Sequence, residues 1–149
     1  MFGGLPGFSQ HSRFNRSNRE FFGVQALGTN LMVELHECSS EILDDVIKVE
    51  EVMVAAAEAA GATVVQAHFH EFKPIGVSGF VVITESHLAI HTWPEHHYAA
   101  VDIFTCGNEV KPERAAQELI DKFQCKNPTM LEVKRGFASP PSDNVISSK

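Results

Sequence analysis

The sequence predicts an α+β fold in which an antiparallel β-sheet carries two helices on one face. The first observation behind this prediction is a stretch from 76 to 107, where three short runs of β-branched and aromatic residues are joined by two polar connections. The second is that a segment on either side of this stretch has apolar residues at three- and four-residue steps, as amphipathic helices do. Because short connections join the apolar runs, neighbouring strands are expected to pair as hairpins, which makes the sheet antiparallel.

The elements are expected in the order strand, helix, four strands, helix, strand. The first helix is expected to begin with Ser39 as its N-cap and to end at Gly61. The second is expected to carry Pro112 at an early position and to be broken by Asn127-Pro128. The predicted strands lie at 31–35, 62–72, 77–83, 88–90, 99–104 and 130–133.

The length of 149 residues indicates one domain. We expect it to span 24–137, with a flexible N-terminal tail at 1–23 and a disordered C-terminal tail at 138–149. The longest apolar run is far shorter than a membrane span and the N-terminus has no apolar signal core, so we expect neither a membrane partner nor secretion. Three widely spaced cysteines without a CxxC motif indicate reduced thiols in a cytoplasmic protein.

The charge distribution excludes one class of partner. The net charge is −7, while the first 23 residues carry three arginines against one glutamate, which leaves −9 for the remainder. A nucleic-acid-binding protein needs a basic face, so no nucleic-acid partner is expected. A cationic small substrate is compatible with this charge.

The histidines raise the question of a metal site. Six of the eight lie between His68 and His97. A zinc site needs three or four converging ligands, and no second ligand pair stands at a matching spacing. We therefore predict no metal, and we expect solvated or hydrogen-bonded histidines at 68, 70, 96 and 97.

Nucleophilic chemistry is a further possibility. A Ser/His/acid hydrolase is disfavoured because the sequence lacks a GxSxG elbow, and Ser78 lies outside a strand-to-helix turn. A thiol–imidazole pair of Cys106 and His91 stays open on residue types alone.

Four blocks in the central stretch resemble one known family. "GVSG", "ESHL", "HTWPE" and "DIFTCG" occur in this order and at the spacing of the bacterial and archaeal S-adenosylmethionine decarboxylase proenzymes. The resemblance runs from about residue 27 to 136, which covers the whole predicted domain. It implies the fold of that family and a pyruvoyl-dependent decarboxylase that cuts its own chain.

The resemblance implies roles for the residues around the cut. Ser86 would attack the carbonyl carbon of Glu85, converting the amide into an ester, and His91 would act as the base in the elimination that breaks the ester. The chain beginning at 86 would then carry a pyruvoyl group derived from Ser86. Ser78 matches a family serine implicated in the same processing.

The resemblance also implies how the mature enzyme works. The pyruvoyl ketone would form a Schiff base with S-adenosylmethionine and draw electrons as carbon dioxide leaves. Cys106 matches the proton donor, Phe72 an aromatic that stacks on adenine, and Glu95 a carboxylate that binds the ribose hydroxyls. Without the resemblance, core packing would explain Phe72 and a solvated turn would explain Glu95. The family further implies a homodimer that supplies the aminopropyl donor for spermidine synthesis.

Two departures from the family pattern concern the substrate. Asn30 stands where a histidine is usual, and His96-His97 replace a usual Tyr-Gly. A decarboxylase of free arginine or ornithine on the same fold therefore stays an alternative. So does a metabolite-binding protein whose Ser86 never reacts.

Overall fold

The computed structural model describes residues 25–138, so the predicted tails lie outside it apart from Ala138, which ends the last strand. The strands are β1 (Gln25–His36), β2 (Val64–Glu71), β3 (Val77–Ile83), β4 (Ser86–Trp93), β5 (Tyr98–Cys106) and β6 (Asn127–Ala138). The helices are α1 (Ser40–Leu43), α2 (Val46–Ala59) and α3 (Pro112–Lys122), and a 3₁₀ turn spans Pro94–His96.

All six strands form one sheet in the order β2-β3-β4-β5-β1-β6, and every neighbouring pair is antiparallel. The predicted fold class is confirmed. Strands β2 to β5 follow one another as hairpins because their connections are short, and β1 inserts between β5 and β6. Strand β4, which begins with Ser86, is therefore held on both sides along its length.

Helices α2 and α3 pack against the same face of the sheet: α2 lies on β2 and β3, and α3 lies on β1 and β5. Along each central strand every second side chain points to this face and is buried, as the two-residue period of a strand requires. The strand residues of this core are Leu31, Val33, Leu35, Val77, Val81, Ile83, Leu88, Ile90, Ala99, Val101 and Ile103.

The first helical segment differs from the prediction. Ser39 precedes only the four-residue α1 and makes no side-chain cap bond. The long helix begins after Asp45, whose Oδ1 accepts hydrogen bonds of 3.1 Å from the N–H groups of Ile47 and Lys48. The break between the helices is fixed from outside, because Asp44 accepts a hydrogen bond of 2.9 Å from the Gly76 N–H.

The C-terminal elements differ in one boundary. Pro112 occupies the start of α3 and Gly61 follows α2 with a φ of +82°, both as predicted. Asn127-Pro128, however, begins β6 and does not interrupt the helix, which ends at Lys122. A proline is tolerated there because β6 is an edge strand.

The second face of the sheet, which we call the open face, faces away from α2 and α3. Within residues 25–138 no helix covers it. Register places both apolar and polar side chains on it: Asn30, Met32, Glu34, Ser78, Phe80, Val82, His87, Ala89, His91, Trp93, Tyr98, Ala100, Asp102, Phe104, Cys106, Leu131 and Val133. A sheet face with this much exposed apolar surface marks an interaction site.

Candidate active site

The residues predicted from the sequence fall into two groups on or beside the open face. The first, which we call the turn cluster, is Glu85, Ser86 and Cys106. The second, which we call the imidazole cluster, is Ser78, His91, Phe72 and Glu95. The two clusters lie at opposite ends of β3, β4 and β5.

The turn cluster is built on a two-residue hairpin. Ile83 pairs with Ser86, so only Thr84 and Glu85 connect β3 to β4. Tight hairpins usually place glycine or asparagine at positive φ inside the turn. Here the positive φ falls on Ser86, at +157°, a conformation that L-residues rarely adopt and that costs about 1–3 kcal/mol. Strain is thus stored at the residue whose preceding peptide bond is the candidate for cleavage.

The carbonyl group of Glu85 is held in place from the neighbouring strand. Its oxygen accepts a hydrogen bond of 3.1 Å from the backbone N–H of Cys106. A donor at this position stabilises negative charge on that oxygen when a nucleophile adds to the carbonyl carbon. Cys106 itself is exposed, with its side chain on the open face next to this peptide.

The side chain of Glu85 fastens the turn on its other side. One carboxylate oxygen accepts a hydrogen bond of 3.4 Å from the Thr63 N–H, and the Thr84 N–H donates to the Thr63 carbonyl oxygen at 3.0 Å. Hydrogen bonding from the Thr84 side chain, and then from backbone N–H groups, lowers the pKa of the Glu85 carboxyl below its ordinary value. The Glu85–Ser86 peptide is therefore held between Thr63, just before β2, and Cys106 at the end of β5.

His87, an imidazole to which the sequence analysis assigned no role, lies beside Ser86. The Ser86 hydroxyl is 3.3 Å from Nδ1 of His87, and the His87 ring packs at 5.8 Å from the ring of Phe104. This nitrogen is the group within the described chain that is placed to take the hydroxyl proton. The only sequence signal for it is its position directly after Ser86, which by itself predicts no contact.

The imidazole cluster centres on a short hydrogen bond across β3 and β4. Ser78 and His91 are directly opposite, and the Ser78 hydroxyl lies 2.6 Å from Nδ1 of His91. Trp93 packs beside His91, and Tyr98 stacks on Trp93 with ring centroids 5.3 Å apart. The Ser78–His91 pair is thus a preformed hydroxyl–imidazole couple beside an aromatic wall.

The aromatic wall is anchored by one carboxylate. The Tyr98 hydroxyl donates a hydrogen bond to Glu34 on β1. Burial and this negative neighbour raise the pKa of Tyr98 to about 12, because both disfavour the phenolate. Tyr98 therefore stays protonated and keeps its ring in place against Trp93.

Phe72 and Glu95 lie at the same end of the strands as Ser78 and His91. Phe72 follows β2 at the end where Glu71 pairs with Val77, next to Ser78. Its ring is 46% exposed and meets His70 edge-on, so core packing does not explain this residue. Glu95 is exposed in the 3₁₀ turn directly after β4.

Strand geometry separates the two clusters widely within one chain. Ser86 and His91 are five residues apart on β4, which corresponds to about 16 Å between their Cα atoms. Cys106 is still farther from His91, because His91 pairs with Ala100 at the opposite end of β5, which puts about 20 Å between them. The interpretation of Cys106 and His91 as a thiol–imidazole pair within one chain is therefore wrong.

The residues that depart from the family pattern, Asn30, His96 and His97, differ in their contacts. Asn30 donates a hydrogen bond of 3.3 Å to Asp102, and its own carbonyl oxygen is buried with no partner among the described residues. His96 is exposed, whereas Nδ1 of His97 lies 3.1 Å from the Cys38 carbonyl oxygen. Within residues 25–138, no three histidine, cysteine or carboxylate side chains converge as metal ligands.

None of the helices within residues 25–138 is long and apolar enough to cross a bilayer.

Comparison with known proteins agrees with this architecture. The sequence model of the family described as S-adenosylmethionine decarboxylase matches residues 29–136. An S-adenosylmethionine decarboxylase proenzyme of Thermodesulfovibrio yellowstonii is 56% identical over 116 residues, 78% of this chain and 86% of the relative. One of Moorella thermoacetica is 53% identical over 124 residues, 83% of this chain and 99% of the relative.

A solved structure shows the same likeness in three dimensions. The crystal structure of the adenosylmethionine decarboxylase from Aquifex aeolicus superposes with a TM-score of 0.73 at 32% identity, and the match covers 80% of this chain and 98% of that one. The resemblance read from the four sequence blocks is confirmed, and the chain belongs to the S-adenosylmethionine decarboxylase family.

Proposed function

We propose that this protein is a self-processing, pyruvoyl-dependent S-adenosylmethionine decarboxylase that supplies the aminopropyl donor for spermidine synthesis. The observation that carries the proposal is the geometry of the Glu85–Ser86 peptide. The Ser86 hydroxyl directly follows the Glu85 carbonyl, which the Cys106 N–H polarises, and the relatives of this chain are proenzymes. The strained φ of Ser86 raises the energy of the uncut chain and so favours the reaction.

The residues around the turn suit the self-cleavage chemistry. The Ser86 hydroxyl adds to the Glu85 carbonyl carbon, its proton passes to an imidazole, and the Cys106 N–H stabilises the oxyanion. Collapse releases the amine of residue 86 and leaves an ester between Glu85 and the Ser86 side chain. A base then removes the Cα proton of residue 86, the ester breaks with Glu85 as a free carboxylate, and hydrolysis leaves pyruvoyl at 86. When present, this group withdraws electrons from the carboxylate-bearing carbon of the substrate.

If this base is His91, we infer that it comes from a second molecule. An imidazole about 16 Å away along a rigid strand does not reach Ser86. The open face carries apolar and polar side chains, among them Ser78, His91 and Cys106, has the turn beside it, and is uncovered within the described residues. A two-fold axis that lies between two open faces and runs across the strands would place the turn cluster of one copy against the imidazole cluster of the other. The functional protein is therefore a homodimer with two composite sites.

The composite site also suits the substrate. Phe72 and Glu95 come with the imidazole cluster, and both are exposed, so a ring and a carboxylate are free to hold adenine and ribose. Cys106 comes with the turn cluster, where an exposed thiol has access to the carbon that must be reprotonated. A sulfonium cation is favoured by the net charge of −7.

Mass measurement under denaturing and reducing conditions tests the proposal. The wild-type protein should yield chains 1–85 and 86–149, the second beginning with pyruvoyl. Ser86→Ala should stay intact because no hydroxyl attacks, and His91→Ala should stop at the ester, which hydroxylamine then cuts. An intact wild-type chain after long incubation would instead indicate a metabolite-binding protein.

Carbon dioxide release from S-adenosylmethionine, arginine, ornithine and lysine, assayed in parallel, tests the substrate. We expect release from S-adenosylmethionine alone. Release from arginine or ornithine but not from S-adenosylmethionine would overturn the proposed substrate and leave the proposed self-cleavage standing.

A further inference from the structure

Two thiols meet at the end of β1 that is remote from the turn cluster. Cys38 is 4% exposed, and its Sγ donates to the Leu35 carbonyl oxygen at 3.6 Å. Cys125 is half-buried, and its Sγ donates to the carbonyl oxygen of the next residue, His36, at 3.1 Å. Both thiols therefore bond to successive carbonyl groups of one strand end.

The backbone keeps these two thiols together. The Ser39 N–H donates to the Phe123 carbonyl oxygen at 3.0 Å, which ties the segment after Cys38 to the segment before Cys125. Burial, and then the neighbouring Cys125 thiol, raise the pKa of Cys38 to about 12, so Cys38 rests as a neutral thiol.

The cut proposed above assigns the two cysteines to different chains. Cys38 belongs to 1–85 and Cys125 to 86–149. After cleavage the two chains share the sheet but no covalent bond, since β1, β2 and β3 come from the first, and β4, β5 and β6 from the second. We propose, resting on the proposed self-cleavage, that Cys38 and Cys125 form a disulfide that rejoins the two chains of the processed enzyme.

Thiol–disulfide exchange with glutathione disulfide supplies the oxidant. The Cys125 thiolate, which solvent reaches, attacks glutathione disulfide and forms a mixed disulfide, releasing one glutathione thiolate. The Cys38 sulfur loses its proton, attacks the Cys125 sulfur and displaces the second glutathione. Two protein thiols are oxidised and one glutathione disulfide is reduced to two glutathiones, so electrons and protons balance.

The third cysteine lies too far away to compete. Leu35 pairs with Ala99 at one end of β5, and Cys106 is seven residues along that strand, which corresponds to about 23 Å. Cys106 therefore forms at most a mixed disulfide with glutathione, which differs in mass from the rejoined pair.

The test compares the processed wild-type enzyme with Cys125→Ser after both are treated with glutathione disulfide. Cys125 lies outside both clusters, so both proteins should cleave to the same extent. With reductant, both should show two chains. Without reductant, the wild type should give one species whose mass is two hydrogens less than the sum of its two chains. Any glutathione bound to Cys106 adds its own mass to this value. Cys125→Ser should still show two chains.

Each result has a defined meaning. Two separate wild-type chains without reductant, or glutathione adducts on both Cys38 and Cys125, would overturn the disulfide. A joined species in Cys125→Ser would overturn the assignment to this pair. An intact wild-type chain with reductant would contradict the self-cleavage and with it the rejoining role. Two chains in both conditions would contradict the disulfide alone.

Discussion

The separation of the two clusters predicts that two inactive variants restore self-cleavage to each other. Ser86→Ala keeps His91 but has no nucleophile, and His91→Ala keeps Ser86 but has no base. Within a chain the two groups are about 16 Å apart, whereas proton transfer needs about 3 Å. Completion of the cleavage is therefore expected only between copies.

The yield follows from two-fold symmetry. When equal amounts are refolded together, random pairing gives about half mixed dimers, and each mixed dimer has one complete composite site. Only the His91→Ala chain carries Ser86, so about half of those chains, or about a quarter of all chains, should acquire pyruvoyl. The cleaved fragment must carry alanine at position 91.

Mass spectrometry of the denatured mixture measures this directly, because the two variants differ in mass. The matched control mixes His91→Ala with the Ser86→Ala/His91→Ala double variant, which provides no imidazole and should give no pyruvoyl. If the first mixture gives none while co-refolded wild type processes normally, the composite site is refuted. Complete processing of His91→Ala alone would refute the role of this imidazole.

Three further predictions concern turnover and protonation. Cys106→Ala should still cleave, yet lose decarboxylation by about 100-fold or more, since a positioned acid contributes about that factor; Cys125→Ala, assayed for carbon dioxide release in parallel, should retain activity. Glu95→Gln should weaken use of S-adenosylmethionine by about 1–3 kcal/mol in kcat/KM, and an unchanged kcat/KM would contradict a ribose contact. Tyr98 is the single tyrosine, so its ultraviolet absorbance titration should have a midpoint at about 12, and Glu34→Gln should lower it. Because the pKa of Tyr98 is raised in the folded protein, protonated Tyr98 contributes fully to the free energy of unfolding below about pH 10, and this contribution is lost as the pH rises through about 12. A titration midpoint near 10 in the wild type would contradict the Glu34 contact.

The central part of the fold was predictable because β2 to β5 pair locally. Apolar alternation and short connections determine hairpins, and these are properties of neighbouring residues. The division of the first helical segment was not predictable, since Asp44 is held by the N–H of Gly76, 32 residues away. Such a contact leaves no periodic signal in the sequence.

The candidate site residues were selected by their motifs, but their arrangement was not predicted. His91 follows Ser86 by only five positions, yet short separation in sequence does not mean closeness in space. In an extended strand each residue adds about 3.3 Å along the strand axis, so residues five positions apart lie far from each other. His87 was missed for the related reason that only the local backbone turns its ring toward the Ser86 hydroxyl.

The two-residue hairpin between β3 and β4 has a consequence for the lifetime of the enzyme. The proposed cut there would leave every strand pairing available, so the proposed pyruvoyl group would stand at the end of a central strand that neighbours hold on both sides. Such a group would have no dissociation equilibrium, and its supply would not depend on any cofactor concentration. Because its formation consumes Ser86, it could not be replaced once its keto group had reacted irreversibly. Each molecule would form the group once, and activity would be renewed only by synthesis of a new chain.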